Sequence, residues 1–154
     1  MITTFDTRYK LADACSLANK VLNDKRFYDA IRNAVPFDDS NITNEYIAEI
    51  VFITFKSANG NVMASIFKPW NRGFSKVKGR FQPKKPNLLQ INYYFFHKAS
   101  AKEVAAVLVH EFIHLVDNRF PQYSFGHSGN SRNGNLGTAP YMAGAFAEKL
   151  MEHY

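Results

Sequence analysis

A single α+β domain spanning residues 1–154 is what this sequence predicts. Three observations carry that: helical spacing of apolar residues towards both ends, β-rich runs in the middle, and no linker or repeat that would divide the chain. Leu11, Cys15, Ala18, Val21 and Leu22 recur at helical intervals, so residues 8–23 read as a helix. Asp24 is placed to cap a second helical stretch carrying Phe27, Ile31 and Ala34, which Pro36 stops. Residues 46–56 are dense in β-branched and aromatic side chains and predict a strand. Asn59-Gly60 supplies a turn, after which 62–68 returns as a second strand. With Pro69, Gly73, Gly79, Pro83 and Pro86, the stretch 69–87 reads as mostly irregular, with a short strand near 75–81. Leu88 to Phe96 resumes strand character.

Ser100-Ala101-Lys102-Glu103 fits a capping box, in which a hydroxyl and a carboxylate satisfy free N–H groups at a helix start. The helix that follows, 101–118, is apolar on nearly every side except at its His, Glu and Asp residues, as a buried helix is. Pro121 and Gly126 open a loop of Gly, Asn and Ser running to about 137. Thr138 is placed to cap a last helix, 139–152, with Pro140 in its tolerant first turn. The expected assembly has N-terminal helices, a twisted and mainly antiparallel sheet over the 101–118 helix, and a C-terminal helix closing the lower side.

Composition narrows the class of protein. Hydrophobic residues at 46% and charged residues at 21% describe a chain that folds, not a disordered one. No apolar run approaches the ~20 residues needed to span a bilayer. The start, Met1-Ile2-Thr3-Thr4-Phe5-Asp6, has no signal-peptide pattern, which leaves both a cytoplasmic location and export by another route open. A lone Cys15 excludes an internal disulfide and a multi-cysteine zinc site, so any metal must be held by His and carboxylate. The formal charge of +6 is unevenly distributed: residues 50–102 hold no Asp or Glu but ten Lys or Arg. That field attracts acidic partners, whether an acidic protein or peptide, a nucleic acid or another anionic polymer. Phe67, Trp70, Phe74 and Phe81 are interleaved with these cations, a composition suited to single-stranded nucleic acid. A solvated positive face with its aromatics turned inward has the same composition.

The chemistry concentrates in His110-Glu111-Phe112-Ile113-His114. Four residues make slightly more than one helical turn, so His110 and His114 leave one face, with Cβ atoms about 6 Å apart. Two imidazoles so placed can meet one zinc ion at ~2.0–2.1 Å. Glu111, turned about 100° around the axis, leans over the reacting water without being a ligand and can serve as general base and then acid. Buried in an apolar helix, two His and a Glu would be expensive without such a task. A third ligand is needed, and His127 in the loop Phe125-Gly126-His127-Ser128 is the leading choice, with Glu148 on the last helix as its rival. Asp117 shares the face of the two histidines but lies nearly in line with them, and reads as a hydrogen-bond acceptor behind the site or as a helix-end charge. His97, near a strand end, and His153, near the terminus, rank below these. The oxyanion formed at an attacked carbonyl needs a donor, for which Tyr141 and Tyr123 are the choices.

On these residues the chain resembles the zincin peptidases. The resemblance rests on the strand Leu88–Phe96, the helix bearing His110, Glu111 and His114, and the loop to His127, about a quarter of the sequence. It implies a zinc-dependent endopeptidase in which the strand Leu89–Tyr94 would be a sheet edge that binds peptide through backbone hydrogen bonds. Gly126-His127 is similar to the third-ligand element of SprT/Spartan-type zincins. The Gly and third His that follow the motif in metzincins are missing. Residues 137–141 faintly resemble the aspartate-ligand zincins, whose ligand aspartate is also missing. A second class stands beside the peptidase: a basic nucleic-acid-binding module whose zinc site is structural or absent.

Overall fold

The computed structural model describes residues 1–57, 62–70, 77–127 and 134–154. In chain order these form β1 (Ile2–Thr3), α1 (Tyr9–Asn23), α2 (Lys25–Arg32), α3 (Asn44–Ser57), β2 (Val62–Phe67), β3 (Gly79–Phe81), β4 (Leu88–Asn92), α4 (Tyr93–Lys98), α5 (Ala101–Arg119) and α6 (Ala139–Met151). The class is α+β, as predicted: six helices and a four-stranded sheet among the described residues.

The two N-terminal helices follow the spacing. All five periodic apolar residues of α1 are buried, and Asp24 caps α2 by accepting from the Arg26 N–H at 2.9 Å. Ala34 falls just beyond the end of α2. The first residues, which carry no strand signal of their own, pair with β2. Ile2 N–H donates to Asn19 Oδ1 at 2.7 Å and Asn19 Nδ2 donates back to the Ile2 carbonyl at 2.8 Å, so α1 holds β1 at the sheet margin.

The strand predicted at 46–56 is instead the helix α3. Ile47, Ala48, Ile50, Val51, Thr54 and Phe55 are its buried residues, a helical stripe rather than a period-two alternation. Phe55 meets Phe112 of α5 edge to face at 6.1 Å, so tertiary packing overrides the β preference of this run. The Asn59-Gly60 turn lies outside the described residues. The strand predicted over 88–96 stops at Asn92, whose side chain accepts from the Tyr94 N–H at 2.9 Å and starts α4.

The sheet order is β1-β2-β4-β3, with β1–β2 and β2–β4 parallel and only β3–β4 antiparallel. The expectation of a mainly antiparallel sheet is therefore corrected: with 46–56 helical, β2 lacks the hairpin partner predicted for it and, among the described residues, pairs in parallel with distant segments. The order also makes β4 an interior strand and leaves β3 at the margin.

The helix α5 passes through the core. The Ser100–Glu103 capping box is present, with Glu103 N–H donating to Ser100 Oγ at 3.2 Å and Ser100 N–H to Glu103 Oε2 at 2.7 Å. Leu108, Phe112 and Ile113 are fully buried, each contributing about 1.5–3 kcal/mol by leaving water. Across the sheet, Gly79 and Phe81 of β3 lie opposite Ile91 and Leu89 of β4. Gly79 abuts Val107 and Glu111, so this row faces α5. On its other flank α5 packs against α6 through Ala139, Ala143, Gly144 and Ala147, small buried residues that allow close approach. Thr138 occupies the position before α6, but its hydroxyl donates to the Asn135 carbonyl at 2.7 Å and makes no cap bond.

Candidate metal centre

His110 and His114 leave one face of α5 as the spacing requires, and the chain returns after Phe120 to place His127 against them. His127 Nε2 stands 3.0 Å from His114 Nε2 and 3.4 Å from His110 Nε2. One ligand atom from each of the three rings can be chosen so that all lie within 4.8 Å of one another. Nitrogens at ~2.0–2.1 Å from one tetrahedral ion are about 3.4 Å apart, so the separations suit three ligands of a shared cation. The donor set fits as well as the distances.

The rings are also held in the form a metal requires. Burial first, then the charges of His114 and His127, lower the His110 ring to about 3, while burial and His127 lower His114 to about 3. Both are therefore neutral, with a lone pair free for coordination at pH 7. His110 also hydrogen-bonds to the backbone of Pro140. Proline has no N–H, so its carbonyl accepts and the His110 ring donates. Such a bond fixes ring orientation and leaves Nε2 for the cluster.

Glu111 is 5% exposed, beneath β3. Burial pushes its carboxyl up to about 8, opposed by a hydrogen bond from the Phe81 backbone N–H. A Cβ on Gly79 would fall 2.8 Å from Glu111 Oε1 and 2.5 Å from Val107 Cγ1, so glycine is what lets the strand lie this close. A cleft of about 780 Å³ opens here, with β3 on one side, α5 as its floor and α6 opposite.

The remaining candidates separate cleanly. Tyr141 is in the cleft, its ring centroid 4.7 Å from that of His110 and 5.0 Å from that of His127. Tyr123 is outside the lining, with its hydroxyl 2.9 Å from that of Tyr46. Glu148 lines the cleft mouth, exposed and apart from the three-histidine group. His97, edge to face with Tyr93, and His153 are exposed and stand away from it. Asp117 lines the cleft and is no part of the group. Its carboxylate accepts from the Phe125 N–H at 3.0 Å and from Gly126, and burial raises its pKa against those bonds. The strand Leu89–Tyr94 does not form the open edge: β4 is flanked by β2 and β3, and Tyr93 and Tyr94 belong to α4. Sequence reasoning missed the parts of the site made by backbone, namely Phe81 N–H, the Pro140 carbonyl and the close approach at Gly79. Only Gly79 left a trace, and it read as a loop signal.

The basic stretch forms cation–aromatic pairs, and Lys78 and Arg80 also line the cleft. Arg80 lies 3.9 Å from the Phe67 ring centroid, Lys78 5.2 Å from that of Phe95 and Lys68 5.5 Å from that of Tyr93. Phe81 packs on the core, whereas Trp70 is fully exposed. Arg72, Phe74 and Lys76 lie outside the described residues. No helix among the described residues is long and apolar enough to cross a membrane. Comparison with protein families, with curated proteins and with solved structures finds no match to this chain.

Proposed function

We propose that the protein is a zinc-dependent endopeptidase of zincin-like architecture, in which His110, His114 and His127 hold the metal and Glu111 moves the proton. The observation that carries the reading is the convergence of three imidazole nitrogens next to a buried glutamate at the floor of an open cleft. Bound zinc supplies Lewis acidity, which makes water nucleophilic at neutral pH and polarises the scissile carbonyl. Three imidazoles suit zinc and leave a fourth position open. Glu111 is one residue from His110 and faces β3, where it can accept the proton from the attacking water and return it to the leaving amine. A cation at the histidines lowers the carboxyl's affinity for its proton, offsetting the effect of burial. Tyr141, on the α6 wall beside His110 and His127, would donate to the developing oxyanion. The margin strand β3, in place of Leu89–Tyr94, offers its backbone to an extended substrate.

A second reading, a basic module that binds single-stranded nucleic acid, is favoured by fully exposed Trp70 near Lys68. One experiment separates the two. The peptidase contains about one zinc per chain and cleaves an unfolded protein, and Glu111→Gln keeps the metal but abolishes turnover. The module cleaves nothing, and quenches its single tryptophan on an oligonucleotide with steep salt dependence indifferent to Glu111→Gln. A protein that takes up no zinc with its histidines accessible refutes the peptidase.

A further inference from the structure

The third histidine presents a physical difficulty. It comes from a loop, yet must stand within a few tenths of an ångström of a position set by a helix. The structure shows how the loop is held. Phe125, two residues before His127, is fully buried and anchors the chain in the core. Ser124 N–H donates to Asn41 Oδ1 at 2.9 Å and the Asn41 N–H donates back to the Ser124 carbonyl at 2.9 Å, tying the chain one residue earlier. The next two N–H groups, of Phe125 and Gly126, converge on the carboxylate of Asp117. A Cβ on Gly126 would fall 2.6 Å from Asp117 Oδ2, so this approach requires glycine. Asp117 lies three residues after His114 and emerges on the same face of α5. The helix that supplies two imidazoles thus supplies the acceptor that places the third.

We propose that Asp117 is the positioning residue of the third ligand: by binding the backbone of Phe125 and Gly126, it sets where His127 stands and whether three imidazoles or two grip the metal. This rests on the metal-site reading above. It deepens it by giving the chain its own device for closing the ligand set. Asp117 is no part of the three-histidine group, and acts on the third ligand through the two peptide N–H groups.

The test is a double-mutant cycle read by zinc affinity and by the visible spectrum of the cobalt-substituted protein. Asp117→Asn keeps the shape and one acceptor oxygen but turns an amide NH₂ towards the second N–H. It is expected to stay folded by circular dichroism and to raise the zinc dissociation constant about ten- to a hundredfold. Its cobalt spectrum should shift towards that of His127→Ala, a site short of one imidazole. Combined with His127→Ala, the Asp117→Asn change should add no further loss, because the ligand it positions is gone. Gly126→Ala, which leaves the carboxylate in place but forces a methyl against it, is expected to act the same way. Wild-type affinity and spectrum in both variants would overturn the proposal while leaving the metal site standing. So would an equal loss in the His127→Ala background. Wild-type protein that binds neither zinc nor cobalt would overturn the metal-site reading itself.

Discussion

The contact between β3 and Glu111 can be tested by adding one carbon. In Gly79→Ala the new Cβ would stand 2.5 Å from Val107 Cγ1, 2.8 Å from Glu111 Oε1 and 3.1 Å from Glu111 Cγ. Carbon atoms rest at about 3.5–4.0 Å, so the first contact is short by about 1 Å. Val107 belongs to α5 and is partly buried against the core, so relief must come from β3 lifting off the helix or from Val107 and Glu111 moving aside. Overpacking of this kind costs about 1–3 kcal/mol. At roughly 2–4 °C per kcal/mol for a chain of this size, Tm should fall by about 2–12 °C. Either movement disturbs the hydrogen bond from Phe81 N–H that orients Glu111. A misplacement of 1 Å is worth about a hundredfold in rate, so under the peptidase proposal turnover of a protein substrate should drop by about that much. The histidines are untouched, and the zinc dissociation constant should stay within about twofold of wild type. Thermal denaturation, a chelator-competition titration and a peptidase assay measure the three quantities. A Gly79→Ala protein as stable and as active as wild type would show that β3 does not lie over Glu111.

Two other expectations follow from single side chains. Tyr141→Phe keeps the ring beside His110 and His127 but removes the hydroxyl; kcat should fall about 10²–10³-fold with zinc content unchanged, whereas Tyr123→Phe should leave kcat alone, and equal effects of the two would remove Tyr141 from the mechanism. Asp24→Ala removes the α2 cap and should lower the unfolding free energy by about 1 kcal/mol at pH 7 in urea denaturation. The Arg26 hydrogen bond holds the Asp24 carboxyl down to about 2, below its value of roughly 3.9 in an unfolded chain. Its contribution is therefore complete above about pH 4 and lost as pH falls towards 2, so the gap between wild type and Asp24→Ala should close over that window. A gap at pH 2 as large as that at pH 7 would refute the assignment.

What the sequence revealed follows the range of the physics that encodes it. Helix ends are local: Asp24 and Ser100–Glu103 signal their caps within three residues, and both caps form. The pair His110–His114 is equally local, since one turn of any helix brings positions four apart together. The 46–56 run was misread because β-branched and aromatic composition outweighed its spacing, although positions 47, 48, 50, 51, 54 and 55 lie on one helical stripe. Asn92 likewise carried a cap signal inside an apolar run, and β4 stops there. Strand order had no local signature. Whether β2 pairs with an upstream hairpin or with β4 depends on contacts between segments more than 20 residues apart in sequence. The loop signal at Gly126 singles out His127, whose ring the fold brings beside His110 and His114, and the reason for that glycine is a contact with Asp117 that only the folded chain displays.

The mixed sheet also changes how a substrate could be held. Had Leu89–Tyr94 been the free margin, an extended peptide could have paired along six residues. With β4 enclosed, the margin beside the cleft among the described residues is β3, whose three residues span about 10 Å at ~3.3 Å each. Phe81 in that short strand already directs its N–H to Glu111. Main-chain pairing alone therefore grips few substrate residues, and selectivity must come from the facing wall. That wall is α6, which turns Tyr141, Met142, Ala145 and Glu148 into the cleft. Under the peptidase reading, exchanging residues on α6 should alter which sequences are cut more than any change along β4, because β4 contributes no atom to the open edge.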